Sequence, residues 1–228
     1  RIERLGRLFA DLRDAGVHRV ALAGGMRRPT LERDAMDAGT AALAPRILPA
    51  LRAGDDGLLR LVIAIFEEEG FAVVGAATVA PGLTAAPGLL AGPEPGEDDR
   101  ADAARAIAIL AALGPLDLGQ GAVVAQGQCL GIETVQGTDA MLAFVAETAG
   151  PYRPDRRGGR GVLVKLPKPG QDLRVDMPAI GPETVRRAAE AGLGGIVIAA
   201  GKGLILDRAA TLAAAEAAGL FLWARDMG

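Results

Sequence analysis

Residues 119–139 read GQGAVVAQGQCLGIETVQGTD, and their pattern decides how the rest of the chain is arranged. Two apolar runs separated by a Gln-Gly pair near Gly127 predict two strands joined by a tight turn. Gly137-Thr138-Asp139 then opens a helix through Met141, Leu142 and Phe144. Two acids, Glu133 and Asp139, thereby stand at the end of an apolar hairpin. Asp139 lies near a helix start, where backbone N–H groups lack intrahelical partners, so the place suits a polyanion or a metal better than a core.

The 228 residues are 50% hydrophobic but only 3% aromatic, so burial comes from aliphatic packing and helix-favouring alanine. That length accommodates one large domain or two small ones. A net charge of −3 argues against a nucleic-acid binder that depends on a basic face. No apolar run is long enough to span a bilayer, and residues 188–200 are interrupted by Glu190 and several glycines. The first residues, RIERLGRLFADLRDAG, are charged and amphipathic, unlike a signal peptide, and a cytoplasmic protein is expected. The chain has no serine or asparagine, one histidine (His18) and one cysteine (Cys129). A Ser-His-Asp triad is therefore impossible, as are an internal disulfide and a multi-cysteine zinc site. Chemistry falls to carboxylates, lysines, arginines, threonines, backbone amides or a metal held by oxygen.

Working outward, residues 1–15 have helical spacing with Gly16 at the expected C-cap, and residues 17–23 form a strand running into Gly24-Gly25. A βαβ domain normally begins with a strand before such a helix, so the chain is expected to start after the first strand of its natural domain. The turn from Gly24 to Pro29, with Arg28, is open to two readings: a tight turn with solvated arginines or an anion contact. Residues 41–53 and 55–70 are helical, Asp55 and Asp56 reading as caps before metal ligands. Residues 71–75 are a strand. Prolines and glycines recur through residues 79–98, which can hold no regular helix or central strand and are expected to be a linker at a domain boundary. A helix over 99–113 follows. In PYRPDRRGGRG (151–161) the arginines read as a solvated loop or as a phosphate or anionic-membrane contact. Strands follow at 162–166, 195–199 and 204–206, the last two as a hairpin-like pair, with helices from Pro182 and from a cap at Asp207, and a last strand at 220–223. The sheet is expected to be mixed.

Several of these segments carry a resemblance. GDDGLLR (54–60), DLGQGAVV (117–124), QGTDAML (136–142), the K-x-P-K-P run (165–169) and R-V-D-x-P-x-I-G (174–181) together resemble the LpxI family, over essentially the whole chain. The resemblance implies an α/β protein in two parts. Residues 1–78 would be a Rossmann-like nucleotide-binding domain, incomplete because the family's first strand and glycine turn are missing. Residues 99–228 would be a distinct mixed-sheet α/β catalytic domain. It implies Mg²⁺-dependent hydrolysis of UDP-2,3-diacylglucosamine to UMP and 2,3-diacylglucosamine 1-phosphate in lipid A synthesis, by a cytoplasmic protein in peripheral contact with the inner membrane and with a homodimer as one option. The family's essential R-V-D aspartate falls on Asp176.

Phosphoanhydride hydrolysis needs charge neutralisation at the phosphoryl oxygens and an in-line water. Glu133, Asp139 and Asp176 are the candidate Mg²⁺ ligands, and Asp176 and Lys165 the candidate catalytic groups. Gly137, Thr138, Lys168, Gly24 and Arg28 are candidates for binding the phosphates. For Asp176 a turn role competes, for Glu133 an exposed strand end, for Asp139 a helix cap and for Lys165 an edge-strand charge. His18 and Cys129 are read as structural. A non-catalytic nucleotide or lipid-nucleotide binding module is the alternative function.

Overall fold

The computed structural model describes residues 2–24, 32–51, 55–155 and 158–227, with the side chains of Asp55 and Asp56 outside the description. The chain divides into two compact units. Unit 1 comprises Arg1–Ala80 with Asp172–Asp176, and unit 2 comprises Pro81–Gln171 with Met177–Gly228.

Unit 1 holds helices α1 (Leu5–Asp14), α2 (Ala38–Ala50), α3 (Asp55–Glu68) and the single turn α4 (Ala76–Val79), around strands β1 (Arg19–Ala21) and β2 (Ala72–Val74). The two strands pair in parallel, Val20 opposite Val73. Phe9, Ile47, Ile63, Ile65, Phe66, Phe71 and Val73 form the core, and the Phe9 and Phe66 rings meet edge to face at 5.1 Å. The helices α1 and α2 touch backbone to backbone. A Cβ on Gly39 would fall 2.6 Å from the Gly6 Cα. Asp37 ties their starts together, accepting from the Thr40, Gly6 and Arg7 amides. Those donors, the Thr40 amide foremost, lower its carboxyl pKa to about 2.

Unit 2 is a six-stranded sheet with helices on both faces. Its elements in chain order are β3 (Gly88–Ala91), α5 (Glu97–Leu113), β4 (Gly121–Ala125), β5 (Gln128–Ile132), α6 (Gly137–Thr148), β6 (Val162–Lys165), β7 (Ala179–Ile180), α7 (Pro182–Glu190), β8 (Gly195–Ala199), β9 (Leu204–Ile205), α8 (Arg208–Ala218) and β10 (Phe221–Arg225). The strand order is β3-β10-β8-β6-β4-β5. Strands β10, β8 and β6 run parallel, whereas β3, β4 and β5 join antiparallel, which makes the expected mixed sheet. Alternation along each strand sorts the core into two faces. Val124, Val162, Val164 and Val197 pack on the α5 side, Val123, Leu163, Ile196 and Ile198 on the side of α6, α7 and α8. Each such side chain, fully buried, contributes roughly 1.5–3 kcal/mol relative to exposure.

The opening hairpin is present as read. Gln126 (φ 50°) and Gly127 (φ 74°) form its two-residue turn, both in the left-handed region that such a turn requires. Three expectations change. The linker expected over residues 79–98 contains β3, an edge strand antiparallel to β10; an edge position asks for hydrogen bonds on one side only and so tolerates neighbouring proline and glycine. The hairpin-like pair expected around residues 200–203 does not form. Strand β9 pairs instead in parallel with β7, in a separate small sheet, while β8 stays in the centre of the large one. Strand β6 is likewise central, between β8 and β4, which removes the edge-strand reading of Lys165.

Candidate active site

Period-two alternation places Lys165 on the same face of β6 as Leu163, toward α6, at the C-terminal end of a parallel strand. In open α/β sheets ligands dock at this edge. The start of α6 lies there because the hairpin returns the chain: β4 begins opposite the end of β6, with Gly121 paired to Lys165, and β5 runs back beside β4. Glu133 follows β5 directly. Its amide donates to the Gly121 carbonyl at 2.8 Å, and its own carbonyl accepts from Gly119 at 3.0 Å.

Three of the predicted residues come together at that point. Thr138 Oγ1 donates to Glu133 Oε1 at 2.9 Å and accepts from Lys165 Nζ at 2.6 Å. Lys165 Nζ also donates to the Ala179 carbonyl at 3.3 Å and stands 3.6 Å from Glu133 Oε2. Lys165 is only 6% exposed, although a lysine is seldom buried unless paired. Two glycines make room for Glu133, Gly121 for its carboxylate and Gly119 for its backbone. A Cβ on Gly121 would lie 2.5 Å from Glu133 Oε2, and one on Gly119 would lie 2.1 Å from the Glu133 carbonyl oxygen.

The other predicted residues are placed separately. Gly137, at φ 86°, begins α6, whose N-cap Gln136 provides no side-chain hydrogen bond. Asp139 is in the first turn, exposed, and its Oδ2 lies 3.5 Å from Arg187 Nε, so it neither caps the helix nor joins Glu133. Lys168 pairs with Asp117, Nζ to Oδ1 at 2.5 Å. Gly24 belongs to unit 1 and has φ 101°, in the region that favours glycine. Arg28 lies outside the described residues, as do the side chains of the candidate caps Asp55 and Asp56.

Asp176 belongs to unit 1, in a turn built by its own motif. Asp172 Oδ1 accepts from the Arg174 amide at 3.0 Å, and the Arg174 guanidinium spans Asp172 and, at 2.7 Å, Glu67 on α3. The bond from Arg174 lowers the Asp172 pKa, and the two carboxylates raise that of Arg174. Val175 packs against the core of unit 1, and the Asp176 amide donates to the Asp172 carbonyl at 3.2 Å. In R-V-D the first two residues thus anchor the turn and the third is half-buried upon it.

Among the described residues no three His, Cys, Asp or Glu side chains gather as a metal cage. Glu133 and Asp139 do not fit a cation, because each carboxylate faces a lysine or an arginine. Mg²⁺ needs only one or two carboxylates when phosphate oxygens complete its shell, and the Asp176 carboxylate is an oxygen donor of that chemistry.

Sequence reading missed Asp117, the Asp172–Arg174–Glu67 clamp and Asp102. Asp102, 2% exposed, receives the Gln126 and Gly127 amides at 2.9 and 2.7 Å and so holds the hairpin turn. Its signal was available: it lies on the stripe with Ala103, Ala106 and Leu110 that α5 buries. A cleft of about 380 Å³ opens beside that turn, but its acids are engaged in structure, Asp98 accepting from Gly159 and Asp102 from the turn. In the arginine run, Arg153 donates to the Gly192 carbonyl after α7 and Arg160 to the Gly219 carbonyl after α8. Both act at helix C-termini, where cations are favoured, and Arg156 and Arg157 lie outside the described residues. Cys129 is exposed on β5, so it is not the packed apolar filler that its structural reading implies, and partial desolvation raises its thiol pKa, away from a nucleophile's.

Comparison with known proteins matches residues 1–83 to a model of the LpxI N-terminal domain and residues 86–223 to a model of the LpxI C-terminal domain. The UDP-2,3-diacylglucosamine pyrophosphatase LpxI of Caulobacter vibrioides is 43% identical over 225 residues, covering 99% of this chain and 80% of that protein.

Proposed function

The chain belongs to the LpxI family, and from that premise we propose that it hydrolyses UDP-2,3-diacylglucosamine to UMP and 2,3-diacylglucosamine 1-phosphate in lipid A biosynthesis. The observation that carries the reading is 43% identity extending across 99% of the chain, and so across both units. Water adds across the P–O–P bridge, one P–O bond forming as another breaks, and each product leaves with one phosphate.

The roles follow from charge and placement. Asp176, on its anchored turn, is the carboxylate that touches the reacting groups. Mg²⁺ would be held by Asp176 with the substrate's phosphate oxygens, and when bound it supplies charge neutralisation at phosphorus. The first turn of α6, from Gly137, presents backbone N–H groups of the kind that bind phosphate, and Lys168, balanced at rest by Asp117, is a further positive charge for the phosphates. Gly24 and Arg28 are proposed to contact the nucleotide in unit 1, read as the Rossmann-like part. Among the described residues no helix is long and apolar enough to cross a membrane. Because the substrate carries two acyl chains, its collection is assigned to peripheral contact with the cytoplasmic face of the inner membrane, and a homodimer belongs to the same reading.

The test is direct. With UDP-2,3-diacylglucosamine and Mg²⁺ the protein releases UMP, and EDTA stops the release. Binding of the substrate without UMP in the presence of Mg²⁺ would refute the enzyme reading in favour of a binding module.

A further inference from the structure

The pair Glu133–Lys165 poses an energetic problem. Burying two charges costs several kcal/mol per ion before their attraction offsets it, so such a pair is weak evidence of stabilisation. Here the pair is also imperfect. Among the described residues Glu133 Oε2 is buried with no hydrogen-bond donor, and Lys165 Nζ is 3.6 Å away. Yet the fold provides for it at two further positions, Gly119 and Gly121, where any side chain would collide with Glu133. The arrangement is also bridged: the Thr138 hydroxyl accepts from Lys165 and donates to Glu133, and Thr138 is the second residue of α6. Lys165 reaches a fourth segment through the Ala179 carbonyl on β7. The three side chains therefore join the end of β6, the exit of β5, the first turn of α6 and β7.

We propose that Glu133, Thr138 and Lys165 are positioning residues, a buried relay that holds the first turn of α6 at the C-terminal edge of the sheet, with Glu133 serving as the counter-charge of Lys165 and not as a metal ligand. The proposal rests on the phosphate-binding role given above to that turn. A relay of this kind acts through the backbone amides of Gly137 and its neighbours, because the ammonium and the hydroxyl are themselves occupied. Asp139, facing Arg187 on α7, fixes the same turn from its exposed side.

The experiment is a double-mutant cycle with Glu133→Gln, Lys165→Met and the two combined, read by thermal unfolding and by the Mg²⁺ dependence of UMP release. Each single change is expected to lower the melting midpoint by several degrees, and the combination to cost clearly less than their sum. Glu133→Gln is expected to lower kcat/KM about tenfold (roughly 1.4 kcal/mol in transition-state stabilisation) while its Mg²⁺ activation constant stays within about twofold of the wild type. A tenfold rise in that constant would make Glu133 a metal ligand and overturn the proposal, as would strictly additive effects on the midpoint. Thr138→Val gives an independent reading. It keeps the shape and removes the bridge, and a midpoint equal to the wild type would also overturn the relay, whereas Thr138→Ser is expected to restore it. Failure of the wild type to release UMP would refute the hydrolase reading, and the unfolding cycle would still decide whether the relay exists.

Discussion

Two small regions carry the charged motifs of this chain, and they treat their charges in opposite ways. In unit 2, Glu133, Thr138 and Lys165 turn inward on one another, sealed by glycines at 119 and 121. In unit 1, the turn Asp172–Asp176 uses its arginine and valine as anchors, Arg174 to Asp172 and Glu67 and Val175 to the core. The comparison shows that a motif residue is no more chemical for being charged. The two differ in what the motif builds, a network of side chains in unit 2 and an anchored backbone turn in unit 1. Asp176, carried on that turn, is the residue proposed to touch substrate, and Lys165 is expected to act through the fold.

The comparison breaks most visibly at Asp176. Asp176→Ala should reduce turnover by roughly 10²–10³-fold, the scale of losing one group that stabilises developing charge, while the melting midpoint moves little. A large loss of stability instead would make it a turn residue. Next is Gly121→Ala, which drives a methyl toward Glu133 Oε2. It should destabilise by about 1–3 kcal/mol, as overpacking does, measurable by denaturant unfolding with an unchanged slope. Arg174→Ala should loosen the turn and lower turnover about tenfold. Its stability cost should stay under about 1 kcal/mol because the ion pair is substantially exposed. The smallest effect lies far from both regions. Asp37, held at about 2 by the amides of α1 and α2, has a lowered folded-state pKa, so its contribution to unit 1 is complete above the unfolded value of 3.8 and is lost as pH falls through about 2. Acid titration of unfolding should show a shallower slope in that window for Asp37→Asn than for the wild type.

Much of the fold was legible because its signals are local. The Gln126-Gly127 turn follows from glycine in an alternating apolar context, and Asp207 caps α8 as read, accepting from the Ala210 amide. Strand β3 was hidden because four residues with proline and glycine nearby carry no periodic signal, and only pairing with β10, distant in sequence, makes them a strand. The partnership of β9 with β7 was hidden for the same reason. At the site, the residues were legible but their state was not. Glu133 and Lys165 are 32 positions apart, and only the antiparallel register of β4 with β6 turns two candidate ligands into one ion pair. The clamp at Arg174 also needs Glu67, more than a hundred positions away.

The most direct measurement compares UMP release from UDP-2,3-diacylglucosamine and Mg²⁺ by the wild type and by Asp176→Ala, with substrate binding recorded for both. The wild type should release UMP, and the variant should bind the substrate with little or no release. Equal release by the two proteins, or binding without release by the wild type, would contradict the account.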